Sequence, residues 1–401
     1  MNNDQAPLRI GAAGLGRAFM LMLPTFVAHP RIELVAASDP REEARREFER
    51  EFGGRAYATV EAMCEDRNVD AVYIATPHER HAQNVVAAAA RGKHALVEKP
   101  MAISLAECQA MIDAAASAGT TLVVGHSHGF DLPFARTREL IASGTYGGVR
   151  MITALNFTDF LYRPRRPEEL DTAKGGGVVF SQGAHQVDIV RLLGGGIVRS
   201  VRAHTGAWDA SRPTEGAYAA HLTFADGTFA SLVYSGYAHF DSDELVGWIG
   251  EMGHPKDPAK YGATRAALRG GMSAAEEEAL KYNRAYGKTS STSAAPVAHN
   301  QFGMVIASCD RADLRPLPDG VMVYDDARTW RDALPPPGVP RGEVIDELCD
   351  AIAGVRPATH SGAWAMATLE VCLAILQSSR TGREIELEHQ VAVAASGERA
   401  C

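Results

Sequence analysis

LRIGAAGLGRAF, residues 8–19, runs from an apolar stretch through Gly11, Gly14 and Gly16 into a pattern with helical spacing. A strand that ends in glycines and turns directly into a helix is the setting of a dinucleotide fingerprint. Glycines let the backbone turn tightly and approach a pyrophosphate, which then rests on free amides at the helix N-terminus. Gly14, Leu15, Gly16 and Arg17 are the candidate phosphate-binding residues, and Phe19 stands where a third glycine or an alanine is usual. Glycine-rich turns between strand and helix are common, so the reading depends on the residues downstream.

Downstream, strand and helix alternate regularly. Residues 32–39, 70–76, 94–99 and 120–126 read as short apolar strands with helical stretches between them. The last of those helices has Ser104 as its N-cap and stops at Gly119. Asp39 ends the second strand, where an acid accepts hydrogen bonds from ribose hydroxyls and repels a 2′-phosphate, favouring NAD over NADP. Arg41 pulls the other way, because it can pair with that phosphate, and a plain helix-capping role for Asp39 stays open. Thr76, Pro77 and His78 close the strand at 70–76, and His81 comes next, on the following helix. These four are assigned to the nicotinamide side of the crevice, with a helix-surface role for His81 left open.

The stretch HALVEKP, residues 94–100, ends a strand on Glu98, Lys99 and Pro100. A lysine at the carboxyl end of such a strand projects into the crevice where open α/β sheets bind ligands. Burial there lowers its pKa toward the range of a working acid or base. Pro100 restricts the backbone of Lys99 and permits a cis bond, so the side chain can be aimed. Alone, a surface lysine closing a strand would be the simpler reading. Glu98 and Lys99 are also taken as cofactor-side residues.

Length and composition set limits. The 401 residues, 46% hydrophobic, suffice for two domains, expected as a Rossmann domain at 1–126 and an α/β domain at 127–401. A net charge of −9 argues against nucleic acid as a partner. No apolar run has the length of a membrane span, and MNNDQAPLRIG lacks the pattern of an export signal, so a cytoplasmic location is expected. The six cysteines have no metal-type spacing, and no metal is expected. Beyond residue 127 the strands lengthen and alternate, and Ala225-Asp226-Gly227 marks a hairpin between AYAAHLTF and TFASLVYSGY. This half reads as an open, mainly antiparallel sheet with helices on one face and two closing helices at 341–354 and 364–382. Residues 250–300 interrupt it as an insertion with one helical run, SAAEEEALKYNRAYG, and a mobile loop.

In combination, the glycine turn, Asp39, Ala75-Thr76-Pro77, His81 and Glu98-Lys99-Pro100 resemble the Gfo/Idh/MocA oxidoreductases. The resemblance continues through residues 175–188, GGGVVFSQGAHQVD, and ends at residues 378–382, SSRTG. It implies a site between two domains and a C-terminal sheet packed on another subunit, hence a homodimer or homotetramer. Carried over, Lys99 matches the family's catalytic lysine and His185 its catalytic histidine; a buried structural role is the alternative for His185. Many members have an aspartate where this chain has Ser181, so Lys99 and His185 are expected to share proton transfer, with Asp188 as a possible third participant.

The loop at 157–171 should overhang that site. Arg163, Arg165 and Arg166 stand among Pro164 and Pro167 and read as a preorganised carboxylate-binding group. A solvated loop neutralised by Glu168, Glu169 and Asp171 is the alternative. Gln182, His126 and His128 are added as substrate-side residues. Within the family, this loop, the insertion and residues 309–316 resemble the members that oxidise a phthalate cis-4,5-dihydrodiol to 4,5-dihydroxyphthalate. The expected activity is therefore NAD-dependent oxidation of a small anionic substrate, an aromatic-derived cis-dihydrodiol dicarboxylate, in aromatic catabolism. A dehydrogenase of a sugar, inositol or sugar acid, a non-catalytic nucleotide sensor, and a glycosidase-like member using NAD transiently stand as alternatives.

Overall fold

The computed structural model describes residues 6–125, 127–260, 262–288 and 295–394. The first half alternates strand and helix as β1 (Leu8–Ala13), α1 (Arg17–Ala28), β2 (Ile32–Ser38), α2 (Glu42–Phe52), β3 (Arg55–Tyr57), α3 (Val60–Cys64), β4 (Ala71–Ile74), α4 (His81–Ala89), β5 (His94–Val97), α5 (Leu105–Ala118) and β6 (Leu122–Val124). Its strands form one parallel sheet in the order β3-β2-β1-β4-β5-β6. The order reverses between β1 and β4, so their carboxyl ends open the crevice that a doubly wound sheet offers to a ligand. β4 is buried along its whole length, as a central parallel strand covered on both faces must be. The short β3 and α3 are additions to the elements read from the sequence.

The second half contains α6 (Leu132–Ala142), β7 (Val149–Phe157), α7 (Ala184–Leu193), β8 (Val198–Gly206), β9 (Ala217–Phe224), β10 (Phe229–Ser235), α8 (Ala263–Arg269), α9 (Ala274–Tyr282), β11 (Met304–Cys309), β12 (Ala312–Leu317), β13 (Gly320–Asp325), β14 (Thr329–Ala333), α10 (Gly342–Ile352), α11 (Gly362–Thr381) and β15 (Ile385–Glu386). The strands make a nine-stranded sheet ordered β14-β13-β12-β11-β7-β10-β9-β8-β15. It is mainly antiparallel, with β7 and β10 as a parallel pair at its middle. β9 and β10 form the expected hairpin, with Thr223 opposite Phe229.

α11 joins the two halves because both of its faces are apolar. Trp364, Val371 and Cys372 enter the core under the nine-stranded sheet, while Met366 and Leu369 enter the core of the first domain. α10 docks on the nucleotide domain, where Val344, Ile345 and Leu348 share a core with Phe19 and Phe26. The insertion also reaches that domain. Besides the helical run read from the sequence it carries α8, and its distal end packs back on the glycine turn: the Tyr286 N–H donates to the Leu15 carbonyl at 3.1 Å, and its ring stands edge-on to Phe19 at 5.4 Å.

Candidate active site

Gly14 adopts φ +89°, and a Cβ there would lie 2.8 Å from the Ala75 carbonyl oxygen, so only glycine fits between β1 and the end of β4. α1 starts at Arg17 with no side chain capping its first amides. The donors a pyrophosphate needs are therefore present and uncommitted at the helix end. Arg17 is pushed below the ordinary arginine range by burial and then by Arg284 and Arg341. Three arginines from α1, the insertion and the start of α10 thus converge there, which suits an anion of more than one charge.

Asp39 is buried at the end of β2, and its Oδ2 accepts the Leu15 N–H at 2.9 Å. Arg41 folds back on it, with Nε 2.9 Å from Oδ1 and NH2 3.0 Å from Oδ2. The same guanidinium reaches the Leu15 carbonyl at 2.9 Å and lies under the Tyr282 ring. The acid and the arginine that pointed to opposite coenzymes are bonded to each other.

Thr76, Pro77 and His78 line the open side of the β4 end, and burial, with His81 and Lys99 nearby, pushes His78 down to about 3. His81 lies behind them. Its ring is fully buried, with Nδ1 3.0 Å from the Pro100 carbonyl and Nε2 3.0 Å from the Thr76 carbonyl. It ties the two strand ends together rather than facing the crevice. Glu98 is buried and accepts the Tyr73 hydroxyl at 2.7 Å.

Lys99 is joined to Pro100 by a cis peptide, and its Nζ donates to the Ser181 backbone carbonyl at 3.0 Å. Ser181 belongs to a π-helical turn, Val179–Gly183, that leads into α7 and His185. The Ser181 hydroxyl turns away and donates to the Gly177 carbonyl at 2.5 Å. Burial holds the Lys99 ammonium below the ordinary lysine range, with Glu98 and Glu251 opposing and Arg341 and Arg165 adding to the shift. The shift favours the neutral amine, the form that can accept a proton.

His185 is buried, and its Nδ1 accepts the His128 N–H at 3.3 Å. A neutral ring held this way carries its proton on Nε2, which is then a donor. His128 packs edge-on against it at 4.7 Å and lies between two acids, with Nδ1 2.5 Å from Asp131 and Nε2 3.3 Å from Glu251. Burial would lower its pKa, but Asp131 first and then Glu251 raise it to about 8. Burial would likewise raise Glu251, which His128, Arg163 and Lys99 hold down at about 2. His128, His185 and Glu251 place one ligand-type atom each within 4.8 Å of the others. Their hydrogen bonds describe an internally neutralised charge relay: His128 and Arg163 share Glu251, and a backbone N–H occupies His185 Nδ1.

The arginine loop is partly neutralised from within. Arg163 bonds Asp159 at 3.0 Å and faces Glu251 at 3.7 Å. Arg166 pairs with Glu168 and Glu169 at 3.1 and 3.6 Å. Arg165 is more buried. Its side chain is 12% exposed, its NH2 donates to the Phe160 carbonyl at 2.7 Å, and Glu169 is 3.9 Å away; its Nε, like that of Arg166, is buried without a hydrogen-bond partner. Burial, with Arg163 opposite, pushes it down to about 10. Of the three, Arg165 has the most distant acidic partner. Gln182 is buried beside Ser181 and accepts the Tyr234 hydroxyl at 3.3 Å. His126 lies outside the described residues.

Asp188, read as a third proton-transfer group, is engaged elsewhere. Its carboxylate accepts from Ser127 and from Trp364 Nε1 at 2.5 Å, and faces His360 at 3.4 Å. His360, stacked on Phe130 at 3.6 Å, lies between Asp188 and Glu347. Burial opposes its charge, but Glu347 and Asp188 raise it to about 10. Glu251, His360, Arg284 and Arg341 carry no local signature; only the folded chain gathers them.

This crevice, with an uncapped helix at one end and a lowered lysine at the other, is that of a nucleotide-dependent oxidoreductase. Residues 8–126 match the family model described as "Oxidoreductase family, NAD-binding Rossmann fold", and residues 134–254 the "GFO/IDH/MocA C-terminal domain". The chain belongs to the Gfo/Idh/MocA family and is an NAD-binding oxidoreductase. It is 46% identical over 377 residues, 93% of this chain and 95% of the other, to the 1-carboxy-3-chloro-3,4-dihydroxycyclohexa-1,5-diene dehydrogenase of Comamonas testosteroni. The crystal structure of a dehydrogenase from Bordetella bronchiseptica is 44% identical, with a TM-score of 0.90 over 95% of this chain and 100% of that one. The myo-inositol 2-dehydrogenase of Thermotoga maritima is 31% identical over 49% of this chain and 58% of its own length.

Proposed function

We propose that this protein oxidises one ring hydroxyl of a carboxylated dihydroxycyclohexadiene with NAD. The observation that carries the reading is a lowered lysine, Lys99, with a weakly neutralised arginine, Arg165, near enough to add to its shift. The Comamonas relative, named for a substrate with one ring carboxylate and two hydroxyls, supports it. One weakly neutralised guanidinium suits one carboxylate better than two, because acids of the surrounding segments hold Arg163 and Arg166. The phthalate dicarboxylate becomes the second choice.

When bound, NAD supplies a nicotinamide ring that accepts a hydride. The chain supplies the rest. Lys99, as the neutral amine, takes the hydroxyl proton, and the Ser181 carbonyl keeps its Nζ aimed. His185 donates from Nε2 to the same oxygen and fixes it. Arg165 holds the carboxylate so that the carbinol carbon stays in register, which supplies much of the rate. The ketone so formed tautomerises to a catechol, and aromatisation draws the reaction forward.

The fit of the cofactor rests on the Gly14 turn, the uncapped α1 amides and the Arg17 cluster. NAD is favoured over NADP because Asp39 already engages Arg41. The outward residues Met151 and Phe229, opposite each other on β7 and β10, and Tyr324 on β13 favour an oligomer formed through the nine-stranded sheet. A substrate panel read by NADH formation tests the assignment. Turnover of inositol or a hexose without turnover of carboxylated diols would overturn it.

A further inference from the structure

Away from Lys99, the loop at 162–170, the turn at 209–213 and the helices α8 and α9 enclose a cavity of about 610 Å³. Four arginines line it, Arg165, Arg212, Arg265 and Arg269, against two acids, Asp209 and Glu277. Both acids are already engaged. Glu277 holds Arg212 in a two-pronged pair at 3.0 and 3.0 Å and accepts the Arg165 backbone N–H at 3.0 Å. Asp209 accepts from the Tyr162 hydroxyl at 2.8 Å and from Ser211 at 2.9 and 2.7 Å.

Positive charge is therefore left over. The Arg265 guanidinium lies on the Tyr162 ring at 3.9 Å, and that packing shields its Nε and NH2 from water. Arg165 Nε is in the same state. Four guanidinium groups against two engaged acids leave the cavity wall with uncompensated positive charge, which suits an anion from outside the chain. A guanidinium offers its paired N–H groups to a carboxylate. The remaining wall includes Leu170, Leu268 and Met272, which give water little to bind and an apolar body a surface to cover.

We propose that this cavity is a second ligand site, taking an organic carboxylate with an apolar body, its carboxylate on Arg265 and Arg269. It is separate from the Lys99 crevice and adjoins it through the loop that carries Arg165. The assignment does not depend on which compound the crevice oxidises, since it concerns occupancy and not turnover.

4-Bromobenzoate is the probe, because its bromine can be located by anomalous scattering in crystals of the full chain and its binding followed by titration calorimetry. The expected result is a bromine peak inside the cavity and a binding event that Arg265→Ala weakens about tenfold or more. NADH binding by Arg265→Ala should match the parent, which shows that the variant is folded. Bromine confined to the Lys99 crevice, an unchanged peak in Arg265→Ala, or binding at crystal concentration only would each overturn the proposal.

Discussion

Lys99 Nζ is anchored by the backbone carbonyl of Ser181 at 3.0 Å, while the Ser181 hydroxyl faces Gly177. The residue that replaces the family's aspartate therefore aims the lysine through its main chain. Ser181→Ala should leave kcat/KM within a factor of a few. Because the side chain points at Gly177 and not at Lys99, a large loss in Ser181→Ala would contradict this placement.

His128 keeps its proton up to about pH 8 because Asp131 and Glu251 flank it. Above that pH the ring becomes neutral and Glu251 loses one of its cationic partners, so kcat/KM should fall on the alkaline side near pH 8. His128→Gln should abolish that limb while lowering the plateau, as measured by initial rates across pH 6 to 10.

His360 links pH to stability. Its pKa is raised to about 10 in the folded protein against about 6.5 for an unperturbed histidine. The stabilisation is therefore complete below about pH 6.5 and is lost as pH rises toward about 10. The melting temperature should decline across that window. His360→Gln should be destabilised at pH 6.5 and should converge with the parent at pH 10; parallel curves would show that His360 is not the linked group.

The cationic cluster at the start of α1 draws on arginines from outside the nucleotide domain. Arg284 of the insertion and Arg17 of α1 lie close enough for each to oppose the other's charge, so an anion between them relieves both. Arg284→Ala should raise the Kd for NADH, read by its fluorescence, about three- to tenfold. Asp39→Ala should free Arg41 and shift the preference toward NADPH. Unchanged affinity in both variants would place the coenzyme elsewhere.

The sequence made the nucleotide half legible because each of its signals is local. Gly14 must turn at positive φ, β4 is an unbroken apolar run, and the Lys99-Pro100 step ends β5 where the sheet opens. β3 spans three residues and α3 five, too short for a periodic pattern to stand out. The charge arrangement was less legible. Arg163, Arg165 and Arg166 look alike in sequence, and only the folded positions of Asp159, Glu251 and Glu169 separate the closely paired guanidinium groups from the weakly paired one. Asp188 shares a helix with His185, yet its partners Trp364 and His360 come from more than 170 residues away, and no spacing rule reaches them.

The central claim is that Lys99 is the base that takes the hydroxyl proton of a carboxylated dihydroxycyclohexadiene. Its most direct test is the rate of NADH formation with 1-carboxy-3,4-dihydroxycyclohexa-1,5-diene, compared between the parent and Lys99→Met across pH. The account predicts turnover by the parent with an acid limb below the ordinary lysine range, and a loss in Lys99→Met on the order of 10²–10⁴-fold with NADH affinity retained. Turnover by Lys99→Met near the parent rate, with the acid limb still in place, would contradict it.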